Sequence, residues 1–590
     1  MKATYRQLTD AEIRQLESQG NYSTDWSSVK VAEGFNAMYL RNNTFEEDVC
    51  LGALTYRKMT HENLTLREGI YNSMLCNCTV GDHPVIHNVR MLSGYTLGDN
   101  VMLFNVEEMT SALAPQPTDF AWLEPMNENG GRKILPFSGM TIGDAYLWAR
   151  YRGHKKLMER LEQMTYATLA TPEGGYGRVG DCCIVKNTKA IRNVAIRSTA
   201  DDPTIVDGCI VLSDGVVGTG CTLEHGVIAV RFLLGEHVHL EFGLRLNDTV
   251  VGDNSTLARC EVGNSIIFPA HEQHHNNSFL IAGLIMGQSN IAAGGTIGSN
   301  HNSRTADNEI AAGRGFWPGL CCSFKHSSRF ASYCLLAKGD YPAELDITLP
   351  FALVNNNTSK DQLEVMPAYW WMYNMYAMDR NSKKFAKRDK RVVKAQHIEF
   401  DNLAPDTAEE ILHGMDLLRS EAPLQMEKGK RKTVILKAAE GLKAYEDMLV
   451  FYAMKYLTAE YGDVLPPAAS APRVKVWRNI GGQLVADDDM EQLIADVESG
   501  AIDSWDALHA RMDTLWERYP ARRLSHAYGV LCQLAGCTTL DAEQWNHYKQ
   551  RYAEIQKYIE EQKVASRHKD DINPYRNMTY WDEAERDAVL

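Results

Sequence analysis

Five histidines fall between residues 271 and 329, among asparagines and arginines. His271, His274 and His275 cluster beside Glu272. Asn300-His301-Asn302-Ser303-Arg304 follows Ile297-Gly298, then come Gly313-Arg314-Gly315 and Lys325-His326. An imidazole titrating near neutrality can take a proton from a hydroxyl or amine as it attacks an acyl carbonyl. His301, His326 and His271 are the candidate general bases, His271 with Glu272 as orienting carboxylate. Asn300, Asn302, Arg304, Arg314, Lys325 and Glu272 offer the amides and charges that hold carbonyls, sugar hydroxyls or phosphates. The competing reading is structural: loop histidines and asparagine ladders also tie neighbouring corners together. Metal chemistry is the rival, with His271, His274 and His275 as ligands. Neighbours such as His274 and His275 point oppositely on a strand, so no metal site is assigned.

A second charged cluster runs from Arg380 to Lys394. Within it Lys383, Lys384, Lys387 and Arg388 suit the phosphates of an acyl-coenzyme A or an acidic carrier protein. A solvated helix face is the plainer account of such a run. Trp370, Trp371, Tyr373 and Tyr376 precede it and read as an aromatic dock onto the body of the protein.

A six-residue period must position these side chains. Leu234, Leu240, Leu246, Val251, Leu257 and Val262 recur at steps of six and occasionally five, with Gly235, Gly252 and Gly263 following three of them. The pattern continues through Ile285, Ile291 and Ile297 to residue 298, and weaker copies cover 80–106 and 179–230. Six is neither the helical 3.6 nor plain strand alternation. It predicts short strands joined by tight corners, one apolar side chain per hexad pointing into a narrow prism, with small residues at the corners. Three hexads close one triangular coil, and stacked coils share a core. The fold expected is mainly β: a left-handed parallel β-helix of hexapeptide repeats, with an inserted helix and a C-terminal α-helical domain.

Other patterns mark the boundaries. Thr9-x-x-Glu12 is a capping box. Leu147, Tyr151, Leu157, Leu161 and Met164 give a helix over 141–166, inserted between coils. Ile435 to Tyr456 and Trp545 to Ile559 mark amphipathic helices. The division is 1–34 as an N-terminal helical segment, 35–108 as the first part of the β-helix, 109–175 as loop and inserted helix, 176–350 as the main β-helix, 351–400 as the aromatic and basic extension, and 401–590 as the helical domain.

Composition narrows the function classes. The 590 residues carry 61 basic and 76 acidic side chains, a formal net charge of −15, which disfavours nucleic acid as a partner. No apolar run reaches the roughly 20 residues of a membrane span. The N-terminus lacks an apolar signal core, and the 13 cysteines form no repeating pair motif. Reduced thiols in a cytoplasmic protein are the expectation.

The stretch SNIAAGGTIGSNHNS resembles the acetyltransferase half of bifunctional glucosamine-1-phosphate uridylyltransferases, matching at Asn290, Ile291, Gly294, Thr296, Ile297 and Asn300. That loop's Tyr-Asp-Gly is replaced by His301-Asn302-Ser303. The whole chain, with SNHNSR, AGRGFWPGL and the helical tail, resembles a bacterial family defined only as a domain of unknown function. Residues 1–34 hold no phosphate loop of the nucleotidyltransferase kind, and GGYGRVGD (174–181) reads as a turn re-entering the prism. The resemblance implies an acyltransferase, homotrimeric, taking acyl-CoA or acyl carrier protein as co-substrate, with no permanently bound cofactor and a sugar or nucleotide-sugar as acceptor. A non-catalytic sugar-nucleotide-binding scaffold or sensor is the alternative. A nucleotidyltransferase-related or metal-dependent β-helix enzyme is the third reading.

Overall fold

The structure, a computed structural model, describes residues 4–113, 119–298, 308–420, 422–468, 472–569, 571 and 573–589. Its spine is a parallel β-solenoid. Ile205, Thr222, His239 and Thr256 stack in register, each 17 residues after the last. A coil is thus one residue shorter than three hexads. Each coil has three faces. In the coil at Thr222, the first face is Ile228–Val230, the second is Phe232–Leu234 and the third is Thr222–Glu224.

Three corners join the faces, and each needs a residue in the left-handed region. Corner one, between the first and second faces, stacks Asn193, Asp214, Arg231, Asp248 and Asn264 at φ between 42° and 57°. Corner two, between the second and third, carries His237, Asn254 and Ala270; corner three carries His225, Phe242 and Arg259. Asn and Asp tolerate this conformation best. Their amides also bond along the axis: Asn42 donates to Asn72 at 3.2 Å and Asn72 to Asn88 at 3.1 Å.

The glycine that follows several second-face strands serves close approach. Gly218 and Gly235 are stacked so tightly that a Cβ on Gly218 would lie 2.2 Å from the Gly235 carbonyl oxygen. The left-handed turn itself comes two residues later, at Gly220 and His237.

The second face is apolar on both sides. Val217, Leu234, Val251, Ile267 and Ile285 point into the prism, while Val216, Leu233, Val250, Ile266 and Leu284 point outward. Helices α2 (Ile142–Arg150) and α3 (Lys155–Leu169) belong to the same outer cluster, with α8 (Asp487–Ser499) and the start of α9 (Trp505–Ala535). Each fully buried aliphatic side chain in this layer contributes roughly 1.5–3 kcal/mol. The insertion is therefore two helices, where the sequence suggests one.

The ends are capped. α1 (Asp10–Ser18) has the expected capping box, but residues 1–34 are not mainly helical. Tyr5–Gln7 runs antiparallel to Val29–Ala32, and Val29–Val31 already pairs in parallel with Val49–Leu51. At the far end Gln362–Met366 turns antiparallel and Lys432–Ile435 adds one more strand. α4 (Tyr369–Tyr373), α5 (Met375–Arg388), α6 (Pro405–Arg419), α7 (Ala438–Tyr461), α9 and α10 (Ala542–His568) pack there. One apolar cluster runs from the prism interior into α6, α7, α9 and α10, so the C-terminal helices continue the prism core. Trp370 is buried and donates to the Tyr333 carbonyl at 2.8 Å, while Trp371 packs on Phe451 and Tyr558. Among the described residues no helix is long and apolar enough to cross a membrane.

Gly218→Ala should cost about 1–3 kcal/mol by overpacking, read as a lower melting midpoint. Gly153→Ala, where nothing lies within 4 Å of the added carbon, should leave the midpoint unchanged. The α2–α9 joint should depend on pH. His509 Nε2 donates to the buried Asp144 carboxylate at 2.7 Å, and that carboxylate, ahead of the opposing effect of burial, raises the His509 pKa. The contribution is complete below the ordinary histidine value of about 6.5 and is lost as pH rises through the raised folded value. Melting curves should show wild type losing stability relative to His509→Gln as the pH rises above about 6.5.

Candidate functional site

The solenoid sorts the sequence candidates by face and corner. His271 lies inside the prism, fully buried. Its Nδ1 bonds Ser289 Oγ at 2.8 Å and its Nε2 bonds Gln273 Oε1 at 3.2 Å, and Gln273 passes the chain on to Ser278. Burial holds its pKa down at about 4. An imidazole with both nitrogens committed and no solvent contact cannot serve as the base proposed for it. Its position makes it a polar tie between coils.

The partner of Glu272 is His274. Glu272 opens the third-face strand Glu272–Gln273, in line with Thr256 and His239. Its side chain stands outside the prism. His274 Nδ1 lies 3.1 Å from Glu272 Oε2. A carboxylate fixes Nδ1 as the N–H, which leaves the Nε2 lone pair for a substrate. The His274 side chain is 38% exposed, and among the described residues Nε2 meets no protein partner.

The basic run converges on the same carboxylate. α5 lies beside the third face, and Arg388 Nη1 donates to Glu272 Oε1 at 2.9 Å, with Lys384 Nζ at 3.6 Å. Burial, against the pull of Glu272, lowers the Lys384 pKa. Lys383 is largely exposed and pairs with Asp379 at 2.9 Å. Lys387 is exposed on the last turn of the same helix. The following residues are a strap: the buried Arg391 bridges Asp253 and Asp389, and Asn254 Nδ2 donates to Asp389 at 3.0 Å. The sequence pairs Glu272 with His271 and assigns Lys384 and Arg388 to cofactor phosphates, whereas in the structure Glu272 faces His274 and both cations reach Glu272. Strand alternation held the signal: Glu272 and His274 share a face, and His271 does not.

His326 and Lys325 lie at corner one, beyond a break in the coil register. The coil leaves at Ile297 and resumes at Ile310, 27 residues separating Gly283 from Ile310 in register where 17 is usual. His301, Asn300, Asn302 and Arg304 lie outside the described residues. His326 sits at this corner, 1% exposed, and Nε2 donates to the Ile281 carbonyl at 2.8 Å. Its Nδ1 is buried without a partner among the described residues. Lys325 is partly exposed and lies 3.7 Å from Glu344.

Arg314 is the clearest correction. It is 2% exposed, and its guanidinium holds Asp406 at the start of α6 through bonds of 2.9 and 2.8 Å, with Asp401 O at 2.9 Å. It pins the helices to the prism and offers nothing to a ligand. The metal reading also loses its geometry, since His271 points inward and His274 outward. Among the described residues no group of three or more His, Cys, Asp or Glu side chains is arranged for a metal ion.

Arg314→Met should destabilise by about 3 kcal/mol, because it strands the largely shielded Asp406 carboxylate. Adding Asp406→Leu should recover much of that loss in the same thermal unfolding experiment.

The chain matches the family model described as "Domain of unknown function (DUF4954)" over residues 5–421, which takes in the solenoid, the strap and α6. It is 40% identical to an uncharacterized protein of Treponema pallidum (strain Nichols), over 99% of this chain and 90% of the relative. The sequence match thus extends over the C-terminal helices as well as the solenoid. By both matches the chain belongs to the DUF4954 family.

Proposed function

We propose that the protein transfers an acyl group from a thioester donor to a hydroxyl or amine of a sugar or nucleotide-sugar. The observation that carries the reading is the Glu272–His274 pair beside the cationic face of α5. His274 Nε2 takes the acceptor proton as the acceptor attacks the thioester carbonyl, and Glu272 stabilises the imidazolium that forms. Lys384 and Arg388 hold the carboxylate in place. Lys383 and Lys387 remain for the phosphates of acyl-CoA or the acidic surface of acyl carrier protein. Coenzyme A leaves as the thiol, carrying the proton that His274 returns.

The left-handed winding and the homotrimer are parts of the same reading. Within one protomer the loop with His301, Asn300, Asn302 and Arg304 leaves from corner one, whereas Glu272 and His274 stand on the third face. A trimer would bring corner one of one prism beside the third face of the next. The cytoplasm, where acyl-CoA is made and used, is the matching compartment.

Release of free thiol from acetyl-CoA, followed over a panel of sugar and sugar-phosphate acceptors, tests the proposal. His274→Ala should lower turnover by roughly 100-fold or more, and His271→Asn should lower stability without acting on turnover directly. Absence of thiol release with every acceptor, together with no coenzyme A binding, would favour the scaffold reading.

A further inference from the structure

We propose that the cavity where the insertion leaves and rejoins the solenoid binds a pyranose sugar, neutral or amino-substituted and not phosphorylated. The cavity encloses about 340 Å³, within the range of small-molecule sites. It lies at corner one, on coils well below Glu272, so the inference does not rest on the acyl-transfer reading.

Two aromatic rings form its walls. Phe120 and Tyr176 line it with ring centroids 5.9 Å apart and planes tilted by 48°. The Tyr176 hydroxyl is committed to the Pro136 carbonyl at 2.6 Å, so the residue offers its ring. Flat apolar walls beside polar groups suit a ring that is apolar on its faces and polar at its edge.

The floor is a preorganised acceptor. Asp214 stands at corner one with φ 57°. Asn193 Nδ2 donates to its Oδ1 at 3.0 Å, and Ser213 Oγ donates to its Oδ2 at 2.5 Å. Asn193 is itself held by Ala112 N at 3.1 Å. One bond to each carboxylate oxygen leaves acceptor capacity for ligand hydroxyl or ammonium protons. Arg178 spends one guanidinium nitrogen on the Pro172 carbonyl at 2.6 Å and keeps its other donors for ring or hydroxyl oxygens.

Charge excludes a phosphate. The Asp214 carboxylate lines the cavity, and among the described lining residues Arg178 is the one cation. The helix end that faces it is the wrong one for an anion: Leu169 and Ala170 are the last residue and the C-cap of α3, where carbonyls concentrate negative charge. The glycine-rich run 174–177 therefore frames an acceptor-rich site, although its composition resembles a phosphate cradle. Gly177 is required there, since its φ is 68° and a Cβ would lie 2.6 Å from the Gly94 carbonyl oxygen.

Calorimetric titration of the full chain with glucose, glucosamine, N-acetylglucosamine, glucose 6-phosphate and adenosine tests this. The expected result is saturable binding of at least one of the three unphosphorylated pyranoses. Glucose 6-phosphate should bind at least 10-fold more weakly than glucose or not at all. Asp214→Asn and Phe120→Ala should each weaken binding 10-fold or more. Phe120 is only partly buried, so that variant should keep the wild-type melting midpoint and separate lost binding from lost fold. The proposal is overturned if no pyranose binds, if adenosine or the phosphorylated sugar binds best, or if Phe120→Ala folds and binds as wild type does.

Discussion

Every coil must sit one strand spacing, about 4.8 Å, above the coil before it, and the rest of the molecule follows from that stacking. Where Gly218 and Gly235 stack, no room is left for a side chain and backbone lies against backbone. The stacking puts a left-handed residue at each of the three corners, and it lines up like positions along the axis. Aliphatic side chains fill the prism, amides run up corner three, and the second face gains an outer apolar column that must be covered. Extra chain can leave only at corners, since a strand interior is bonded on both edges. The long insertion and the excursion between Ile297 and Ile310 both leave from corner one.

The insertion then runs along that corner as a brace. Glu124 N donates to Asp248 at 3.1 Å, Met126 N to the Asn264 carbonyl at 2.7 Å, and Arg132 pairs with Glu309. It ties the cavity at its root to the coil break above it. On the opposite side the strap after α5 does the same with Arg391, Asp253 and Asp389. Buried polar pins of this kind add little net stability but penalise any other arrangement heavily. They explain why so many charged residues of an acidic protein lie at the joints between helices and prism.

The solenoid was legible because its period leaves one apolar mark per face. The covered second face was also written in the sequence, as adjacent apolar pairs at Val216–Val217, Leu233–Leu234, Val250–Val251 and Ile266–Ile267, and passed unread because the hexad count uses only the inward residue. The site was legible in composition and not in direction. Glu272, Lys384 and Arg388 come together across 112 to 116 residues of chain, a pairing that no local pattern encodes. Arg314 looked like a loop cation, and only the return of the chain at Asp406 shows it buried. His271 and His274 differ by three positions, and the strand turns that odd offset into inside and outside.

An atomic structure of the protein with a non-hydrolysable acyl-CoA analogue tests the central claim most directly. The analogue should lie between α5 and the third face, with its phosphates against Lys383 and Lys387 and its carbonyl region close enough to His274 for an acceptor held at about 3 Å from Nε2 to reach it. An analogue that leaves the Glu272–His274 pair empty, or binds on another face, would contradict that claim.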